Sequence, residues 1–423
     1  MYTEYKQNTQ GGIYMAVHVI DEANRCLQCK KPMCREGCPV HTPIPDMIRS
    51  LREGRLEEAA YMLFDNNPMS LVCSLVCNHE DQCEGHCVLG RKGQPVHISS
   101  IENYISDTYF ERIRIECQPK NGKKVAVIGA GPAGITIAIL LTKKGYSVTI
   151  FDSREKIGGV LQYGIPDFRL PKTVLERYKK KLESIGIRIR PNTTIGGALE
   201  IKDLFRDGYE SIFIGTGVWR PKTLGVKGES LGNVHFAIDY LVNPDVYELG
   251  NRVAIIGVGN SAMDVARTAL RHGAKEVTLY ARGNHISASK DETDYAKLEG
   301  ARFCFNKGVV EINDDGPVFH DIYRDEEGKV TGYSEKTEQV YADSVIISIS
   351  QGPKDKLVNT TEGLKATKNG LLETDENGET TVEGIFASGD VVMGAKTVVQ
   401  AVEYSKRVAE AMDAYMKAKH PQA

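Results

Sequence analysis

The chain has 423 residues, of which 41% are hydrophobic, with a formal net charge of -3. This length allows two to four domains with sizeable cores, and the weakly acidic balance argues against a nucleic-acid-binding protein. No apolar run reaches the roughly 18 residues of a membrane span. Because the polar start also lacks the pattern of a secretory signal, we expect a cytoplasmic protein without a membrane partner.

Eight of the ten cysteines lie in two groups in the first quarter of the chain. The first group has the spacing C-x2-C-x4-C-x3-C-P and the second C-x3-C-x5-C-x3-C. Reducing systems of the cytoplasm disfavour structural disulfides, so this density indicates metal or redox chemistry. The groups are Cys26, Cys29, Cys34 and Cys38, then Cys73, Cys77, Cys83 and Cys87.

The pattern around these cysteines favours iron–sulfur clusters. The Cys38-Pro39 ending is typical of bacterial ferredoxins, in which the last cysteine of a run ligates the other cluster. Zinc stays an alternative, although structural zinc sites usually pair two short C-x2–4-C knuckles. Apolar residues recur at helical intervals over 44–64. We therefore predict a small helical domain organised around its metals, and we interpret Cys117 and Cys304 as packing or surface residues.

A glycine-rich turn follows the cysteine-containing segment. Residues 123–152 read as strand, glycine turn, helix and strand, with the pattern Gly129-x-Gly131-x-x-Gly134 in the turn. Backbone N–H groups at such a helix start can bind a pyrophosphate. Asp152 ends the second strand, where its carboxylate can accept a hydrogen bond from a ribose hydroxyl. The segment predicts a dinucleotide-binding unit.

Residues 251–282 repeat this strand–turn–helix–strand pattern, so we expect a second nucleotide. The position that matches the ribose-binding carboxylate is Ala281, and Arg282 follows it. An arginine without a neighbouring carboxylate can pair with a 2′-phosphate, which favours NADP over NAD. The predicted contacts in the turn are Gly257, Gly259, Asn260 and Ala262.

Several motifs occur in one order along nearly the whole chain: the two cysteine groups, GAGPAG, IGGVLQYGIPDFRLPK, GVGNSAMD, ISASKDETDYAKLEG and IFASGDVVMGAKTVVQA. In these motifs the chain resembles the small-subunit family of NADPH-dependent glutamate synthase. That family includes the large subunit of the electron-bifurcating NADH-dependent ferredoxin:NADP oxidoreductase, and the N-terminal part of dihydropyrimidine dehydrogenase is related to it.

The resemblance implies an α/β fold with an N-terminal all-α iron–sulfur domain and two Rossmann-like dinucleotide-binding domains of the flavoprotein disulfide-reductase type. We expect the helical domain over 1–120 to hold two [4Fe–4S] clusters. The FAD-binding domain is discontinuous, over 121–225 and 353–423. The NAD(P)H-binding domain occupies 226–352.

The family's ligand pattern is interleaved between the two cysteine groups. Carried over to this chain, it assigns one cluster to Cys26, Cys29, Cys34 and Cys87. It assigns the other to Cys38, Cys77, Cys83 and Glu102. Cys73 is then a spare thiol. Two sequential four-cysteine sites that use Cys73 remain the alternative, in which Glu102 is an ordinary helix glutamate.

The resemblance also implies residues around the flavin. Asp390, which follows Gly389 in the IFASGD motif, is expected to contact the ribityl-phosphate part of FAD. The helix that begins near Thr397 is expected to direct its N-terminus at the isoalloxazine ring, where its dipole stabilises negative charge. Gly158 and Gly159 are expected near the same ring.

Within the same implied flavin segment, Arg169 and Lys172 are candidate charged neighbours of the ring. No close cysteine pair follows in this region or in the second nucleotide unit, which argues against a self-contained disulfide reductase. We therefore expect an oxidoreductase that passes hydride between NAD(P)H and FAD, and single electrons through the clusters to a ferredoxin-linked or other partner subunit.

Three alternatives remain for the whole protein. The chain could be the small subunit of a glutamate synthase or of a dihydropyrimidine dehydrogenase, rather than of an electron-bifurcating heteromeric complex. The remote alternative is a non-enzymatic assembly module in which zinc holds the N-terminal domain and the nucleotide folds sense redox state.

Overall fold

The structure is a computed structural model that describes residues 19–419. The first 18 residues of the predicted iron–sulfur domain lie outside this part. Single 3-10 turns occur at Val88–Arg91 and Pro244–Val246. The helices are α1 (19–24), α2 (Met33–Glu36), α3 (Ile44–Arg52), α4 (Leu56–Asn66), α5 (Ser70–Val76), α6 (Ile98–Tyr109), α7 (Pro132–Lys143), α8 (Val160–Tyr163), α9 (Lys172–Ser184), α10 (Ile201–Arg206), α11 (Ala237–Val242), α12 (Asn260–Arg271), α13 (Lys290–Leu298), α14 (Lys356–Thr360), α15 (Asp390–Met393) and α16 (Val398–Lys419).

The described residues before position 124 form helices and no strand, as predicted for the N-terminal domain. The helical stretch predicted over 44–64 is divided into α3 and α4, because Gly54 turns the chain with a φ of 73°. In α3, Ile44, Met47, Ile48 and Leu51 are buried. Their spacing of three and four residues places them on one face of the helix, which packs into the core of the domain.

Fifteen strands follow in the described part of the chain. They form two parallel five-stranded sheets, one antiparallel three-stranded sheet and one two-stranded ribbon. The strands are β1 (Lys124–Ile128), β2 (Ser147–Phe151), β3 (Arg188–Arg190), β4 (Tyr209–Ile214), β5 (Arg220–Pro221), β6 (Val234–Phe236), β7 (Arg252–Ile256), β8 (Glu276–Tyr280), β9 (Arg302–Cys304), β10 (Lys307–Asn313), β11 (Gly316–Arg324), β12 (Val330–Gln339), β13 (Ser344–Ile347), β14 (Gln351–Gly352) and β15 (Ile385–Ala387).

The first parallel sheet has the order β15-β4-β1-β2-β3. β1 lies in its middle, and its residues Val125 to Ile128 are buried because helices cover both faces of a parallel sheet. β1 and β2 run in register from Lys124 beside Ser147 to Ile128 beside Phe151. This register places the first glycine turn and Asp152 at the same carboxyl edge of the sheet, where ligands bind in such folds.

The second parallel sheet has the order β6-β13-β7-β8-β9 and repeats the arrangement around the second glycine turn. The antiparallel sheet β10-β11-β12 is inserted in the chain between β9 and β13. Both predicted strand–turn–helix–strand units are therefore present, and the expected fold class is confirmed.

The chain divides into two compact units. The first contains the described residues up to Gly158, then Arg169–Gly217 and Asp355 onward. It combines the helical domain with the first parallel sheet. The second unit contains Gly159–Phe168 and Val218–Lys354. The segment Gly159–Phe168, which lies in the range predicted for the FAD domain, thus folds with the second unit.

Within the first unit, the helical domain packs directly on the sheet domain. The hydroxyl of buried Tyr178 in α9 donates to the carbonyl oxygen of Pro68 at 2.9 Å. The rings of Phe110 and Tyr178 lie 4.7 Å apart, and Arg177 forms ion pairs with Asp107 and Glu111. The contact buries aromatic rings, and the buried hydroxyl of Tyr178 has a hydrogen-bond partner. It therefore stabilises the packing of the helical domain on the sheet domain. No helix among residues 19–419 is long and apolar enough to cross a membrane.

Candidate cofactor-binding sites

The first glycine turn requires glycine for two different reasons. Gly129 has a φ of 105°, which disfavours other residues. A Cβ on Gly134 would collide with the carbonyl oxygen of Gly129, so only glycine lets α7 start this close to the turn. Gly131 is the N-cap of α7. The N–H groups of the first turn of α7 have no intrahelical acceptors, which leaves them available to a pyrophosphate.

Asp152 lies beside this turn. Its Oδ2 accepts a hydrogen bond from the N–H of Ala130 at 2.7 Å, and its Oδ1 accepts one from the N–H of Arg154 at 2.8 Å. Burial raises the pKa of Asp152, and the two N–H donors oppose this effect. Each carboxylate oxygen retains a lone pair. The carboxylate therefore holds the glycine turn in place, a contact that the sequence pattern did not predict, and can still accept from a ribose.

The Gly158–Gly159 pair lies at the point where the chain passes from the first unit to the second. Both residues have positive φ, 113° and 55°, which fits glycine. The N–H of Gly158 donates to the carbonyl oxygen of Ala130 at 2.8 Å. The predicted flavin-flanking segment is therefore connected to the first glycine turn at its start.

The C-terminal motif forms a turn followed by a capped helix. Gly389 has a φ of 75°, and the Oδ1 of Asp390 accepts from the N–H of Lys396 at 3.2 Å. Thr397 precedes α16, and its hydroxyl donates to the Oε1 of Gln400 at 2.8 Å. The N–H of Gln400 donates back to the Thr397 oxygen at 3.4 Å. The Thr-x-x-Gln spacing is that of a capping box and would have identified Gln400 from sequence.

Asp390 should make the stability of the flavin-free protein depend on pH. Burial raises the pKa of Asp390 to about 6, above an ordinary value of 3.8. Between these values the folded chain holds a proton that the unfolded chain has released, so the free energy of unfolding falls as the pH rises through this window. We expect Asp390→Asn to remove this loss and to stabilise flavin-free protein by about 3 kcal/mol well above pH 6, with little gain near pH 4.

Thermal unfolding of flavin-free protein across this pH range measures the effect. The control is Glu376→Gln, because Glu376 is exposed in a nearby loop, and we expect it to leave the profile unchanged. A gain for Asp390→Asn that is the same at pH 4 and pH 7.5 would contradict the assignment.

The second glycine turn is built in the same way. Gly257 has a φ of 131°, and a Cβ there would collide with the carbonyl oxygen of Ser348. Its N–H donates to the carbonyl oxygen of Tyr280 at 2.9 Å. Gly259 is the N-cap of α12, and Ala262 is fully buried in that helix. This turn can therefore also receive a pyrophosphate at the start of a helix.

Two predicted residues beside the second turn have structural contacts as well. The side-chain oxygen of Asn260 accepts from the N–H of Ser289 at 2.8 Å and fixes the start of α13. Arg282 is exposed, and its carbonyl oxygen accepts from the guanidinium of Arg324 at 2.8 Å. The methyl of Ala281 is buried where the first turn has a carboxylate. Arg324, which holds the loop of Arg282, was not predicted from the sequence.

Four thiols converge in the helical domain. Cys26, Cys29, Cys34 and Cys87 line one pocket, whose other lining residues are mostly apolar. Electrostatic interactions join Cys34 to the other three. Burial raises the pKa of Cys34 to about 11, so a cation is needed to stabilise its thiolate. The pocket brings Cys87 together with the first three cysteines of the first group, and Cys38 is not among its lining residues.

Three of the four remaining cysteines of the two groups interact with a buried carboxyl group. Cys38, Cys77 and Cys83 each interact electrostatically with Glu102. Glu102 is 7% exposed, and burial, followed by repulsion from Glu84, raises its pKa to about 8. Burial of a carboxylate is costly unless a cation or hydrogen-bond donors compensate its charge.

Cys73 is also close to this second set. It is buried in α5 and forms a side-chain hydrogen bond with Cys77. Within the described residues, no three His, Cys, Asp or Glu side chains come close enough to hold a single metal ion. The four thiols that line the first pocket are the donor set that a [4Fe–4S] cluster uses.

Family models match both parts of the chain. A model described as dihydropyrimidine dehydrogenase domain II, 4Fe-4S cluster, matches residues 3–113. A model described as pyridine nucleotide-disulphide oxidoreductase matches residues 101–203 and 123–405. The fold and its sites therefore define a flavoprotein oxidoreductase of this type with an N-terminal 4Fe-4S domain.

Curated relatives match along nearly the whole chain. It is 36% identical to the glutamate synthase [NADPH] small chain of Halomonas elongata, over 93% of this chain and 90% of that protein. It is 31% identical to the NAD-dependent dihydropyrimidine dehydrogenase subunit PreT of Salmonella typhimurium, over 94% of both chains. The chain belongs to the glutamate synthase small-chain family, which confirms the resemblance. Because these relatives are oxidoreductases, the alternative of a non-enzymatic zinc module is wrong.

Solved structures show the same fold at low sequence identity. FprA of Mycobacterium tuberculosis in complex with NADPH superimposes with a TM-score of 0.59 and 17% identity, over 71% of this chain and 85% of that chain. Thioredoxin reductase of T. acidophilum superimposes with a TM-score of 0.53 and 22% identity, over 70% and 99%. At this identity the likeness supports the fold alone.

Proposed function

We propose that this chain is the NAD(P)H-dependent electron-transfer subunit of a larger complex, with FAD at the first glycine turn, NADPH at the second and two [4Fe–4S] clusters in the helical domain. The main support for the proposal is the distribution of the candidate sites between the two compact units. The thiol pocket and the first glycine turn belong to one compact unit, and the second glycine turn belongs to the other.

For the metal ligands we propose the interleaved assignment. Cys26, Cys29, Cys34 and Cys87 would hold one cluster, in support of which these four thiols line one pocket. Cys38, Cys77, Cys83 and Glu102 would hold the other. The burial of Glu102 and its electrostatic interactions with these three cysteines support its role as a ligand. Cys73 would remain a thiol beside Cys77.

When bound, FAD exchanges a hydride with the nicotinamide and the clusters carry single electrons. The chain's own residues bind and orient these groups. The first turn of α7 would bind the FAD pyrophosphate, and Asp390 would face the ribityl-phosphate part. The N-terminus of α16, fixed by the capping box of Thr397 and Gln400, would stabilise negative charge near the isoalloxazine ring through its dipole.

A partner protein is proposed because the relatives are named as a small chain and as a subunit. The surface around the thiol pocket suits such a partner. Leu27 and Met33 are 61% and 39% exposed, and Met33 and Arg91 line an open pocket with Cys87. The exposed cations Lys30, Lys31, Arg35 and Lys92 flank these residues in the sequence. We infer that an acidic face of an electron-transfer partner docks here, by charge complementarity.

Anaerobic reduction of the protein, purified from its native source with whatever co-elutes, tests the function. We expect NADPH to bleach the flavin absorption and to produce the spectroscopic signals of reduced clusters, and mass identification to show a second subunit that dissociates as the ionic strength rises. The identity of this second subunit would show where the electrons go. The candidates are a glutamate synthase large chain, a pyrimidine-reducing subunit and a subunit of a bifurcating complex. An active chain without a partner, which reduces a small organic substrate, would contradict the proposal.

The choice of nucleotide depends on Arg282 in this proposal. We expect Arg282→Ala to raise the KM for NADPH about tenfold, because an arginine–phosphate pair is lost, and to leave kcat and the KM for NADH nearly unchanged. Steady-state reduction of a dye by each nucleotide measures this difference. Arg302→Ala removes an exposed arginine from β9 and serves as the control. An equal increase in the KM for NADPH and in the KM for NADH in Arg282→Ala would contradict a role of Arg282 in binding the 2′-phosphate.

A further inference from the structure

A chain of hydrogen bonds runs from helix α16 to the sulfur atom of Cys38. The ammonium group of Lys406 donates to the carbonyl oxygen of Asn66 at 2.7 Å and to its side-chain oxygen at 3.3 Å. The amide nitrogen of Asn66 donates to the hydroxyl oxygen of Thr42 at 3.3 Å. The Oγ1 of Thr42 lies 3.3 Å from the Sγ of Cys38. All four residues belong to the first compact unit.

The chemistry of the four groups determines the direction of these bonds. An ammonium group can only donate, so the side-chain oxygen of Asn66 must face Lys406. The amide NH2 then faces Thr42, whose oxygen accepts. The remaining O–H proton of Thr42 is free to donate to the sulfur of Cys38. Each donor therefore points toward the sulfur, and neighbouring bonds in such a chain polarise one another.

The surroundings of this chain strengthen its electrostatic effect. Thr42 is 3% exposed and Cys38 is 9% exposed, so water screens their interaction little. Burial lowers the pKa of Lys406, while Cys38 and Glu403 act to raise it. Both hydrogen-bond acceptors of Lys406 are neutral oxygens of Asn66. Because they carry no negative charge, they do not neutralise the ammonium group, and its positive charge acts on the sulfur of Cys38.

We propose that Thr42, Asn66 and Lys406 form a polar relay that raises the reduction potential of the cluster ligated by Cys38. This inference rests on the proposed function, because it takes Cys38 as a ligand. Reduction adds one electron and one negative charge to the cluster, and the relay neither gains nor loses a proton or a covalent bond. Hydrogen bonds to ligand sulfurs and nearby positive charge favour the reduced state.

The relay also connects two functional parts of the first unit. α16 begins at the capping box that would lie near the flavin ring, and Lys406 is on the same helix. Thr42 lies two residues before the start of α3 in the helical domain. The three residues act as positioning and tuning groups, since Thr42 alone touches a proposed ligand and none is itself a ligand. Their role would be to favour acceptance of an electron by the Cys38 cluster.

The test is a redox titration monitored by electron paramagnetic resonance, with iron content measured on the same samples. Thr42→Val keeps the shape of the side chain and removes its O–H. We expect it to lower the ratio of reduced to oxidised Cys38 cluster about fivefold at a fixed potential, the effect of about one hydrogen bond, with iron content unchanged. Thr42→Ser, which keeps the hydroxyl, should restore the ratio.

Lys406→Met tests the far end of the relay, two hydrogen-bonded groups away from the sulfur. We expect a shift in the same direction, and a double variant whose shift is smaller than the sum of the two, because the groups act in series. Arg407→Met is the control, since Arg407 is exposed on the same helix and paired with Glu403. We expect it to leave the titration unchanged.

The outcomes separate the relay from the function on which it rests. Loss of the cluster in Cys38→Ala together with unchanged titrations in Thr42→Val and Lys406→Met would overturn the relay alone. Retention of both clusters in Cys38→Ala would overturn the ligand assignment. If Thr42→Val loses iron, the relay is tested instead by comparing Lys406→Met with Arg407→Met, because both changes leave the Thr42 hydroxyl in place. Equal redox titrations of these two variants would overturn the relay.

Discussion

The double variant Cys34→Ser/Cys87→Ser is expected to lose one cluster and to keep the other. Under the interleaved assignment both residues ligate the same cluster, so the second substitution removes nothing further. We expect about four irons per chain where the unchanged protein holds about eight, two [4Fe–4S] clusters being complete. Under the sequential alternative each residue belongs to a different site, so the same double variant would lose both clusters and nearly all of its iron.

Iron and acid-labile sulfide analysis, after anaerobic purification, measures this outcome. The matched control is Cys73→Ser, because Cys73 is buried beside Cys77 but is not a ligand in the proposed assignment. We expect it to retain all of its iron. A loss of about four irons in Cys73→Ser, with complete loss in the double variant, would support the sequential sites and reject Glu102 as a ligand.

Gly257→Ala is expected to impair the second nucleotide site and to leave the first one intact. A Cβ at this position collides with the carbonyl oxygen of Ser348, and the φ of 131° disfavours any side chain. The second turn must therefore move away from the geometry that receives a pyrophosphate. We expect NADPH-dependent dye reduction to fall at least a hundredfold, whereas flavin and iron content stay unchanged, because the first glycine turn and the cysteines belong to the other unit.

Flavin absorbance, iron content and NADPH-dependent dye reduction are measured together on each variant. Gly232→Ala is the control within the same unit, since a Cβ there meets no atom within 4 Å and the backbone φ is not in the left-handed region. We expect it to behave like the unchanged protein. Loss of flavin from Gly257→Ala, with the second unit still folded, would contradict the assignment of FAD and NADPH to separate turns.

Local patterns in the sequence were sufficient to predict the main elements. The two glycine turns, the strands before them and the helical character of the N-terminal domain follow from short-range spacing and composition. Gly134 illustrates why. A Cβ on Gly134 would collide with Gly129, which lies in the same turn. The requirement for glycine therefore depends only on residues within the motif.

The grouping of side chains from distant parts of the chain is different. The segment Gly159–Phe168 follows the first nucleotide unit in sequence, yet it folds with the second unit. There the ring of Phe168 stacks with the guanidinium groups of Arg267 and Arg271, at 4.5 and 4.1 Å. Cation–π contacts of this kind join residues far apart in the chain, and no local periodicity predicts them.

The sequence by itself determined that this protein carries two glycine-rich turns of the dinucleotide-binding type and two groups of closely spaced cysteines, because each depends on neighbours along the chain. Residue spacing left the grouping of the cysteines open, and only the family resemblance implied that Cys87 joins the first three. The tertiary structure brings these four into one pocket and buries Glu102. It alone connects Lys406 through Asn66 and Thr42 to Cys38. These arrangements depend on helix packing over long sequence separations. The burial that results gives a carboxyl group, a thiol or an ammonium group properties that its residue type alone does not specify.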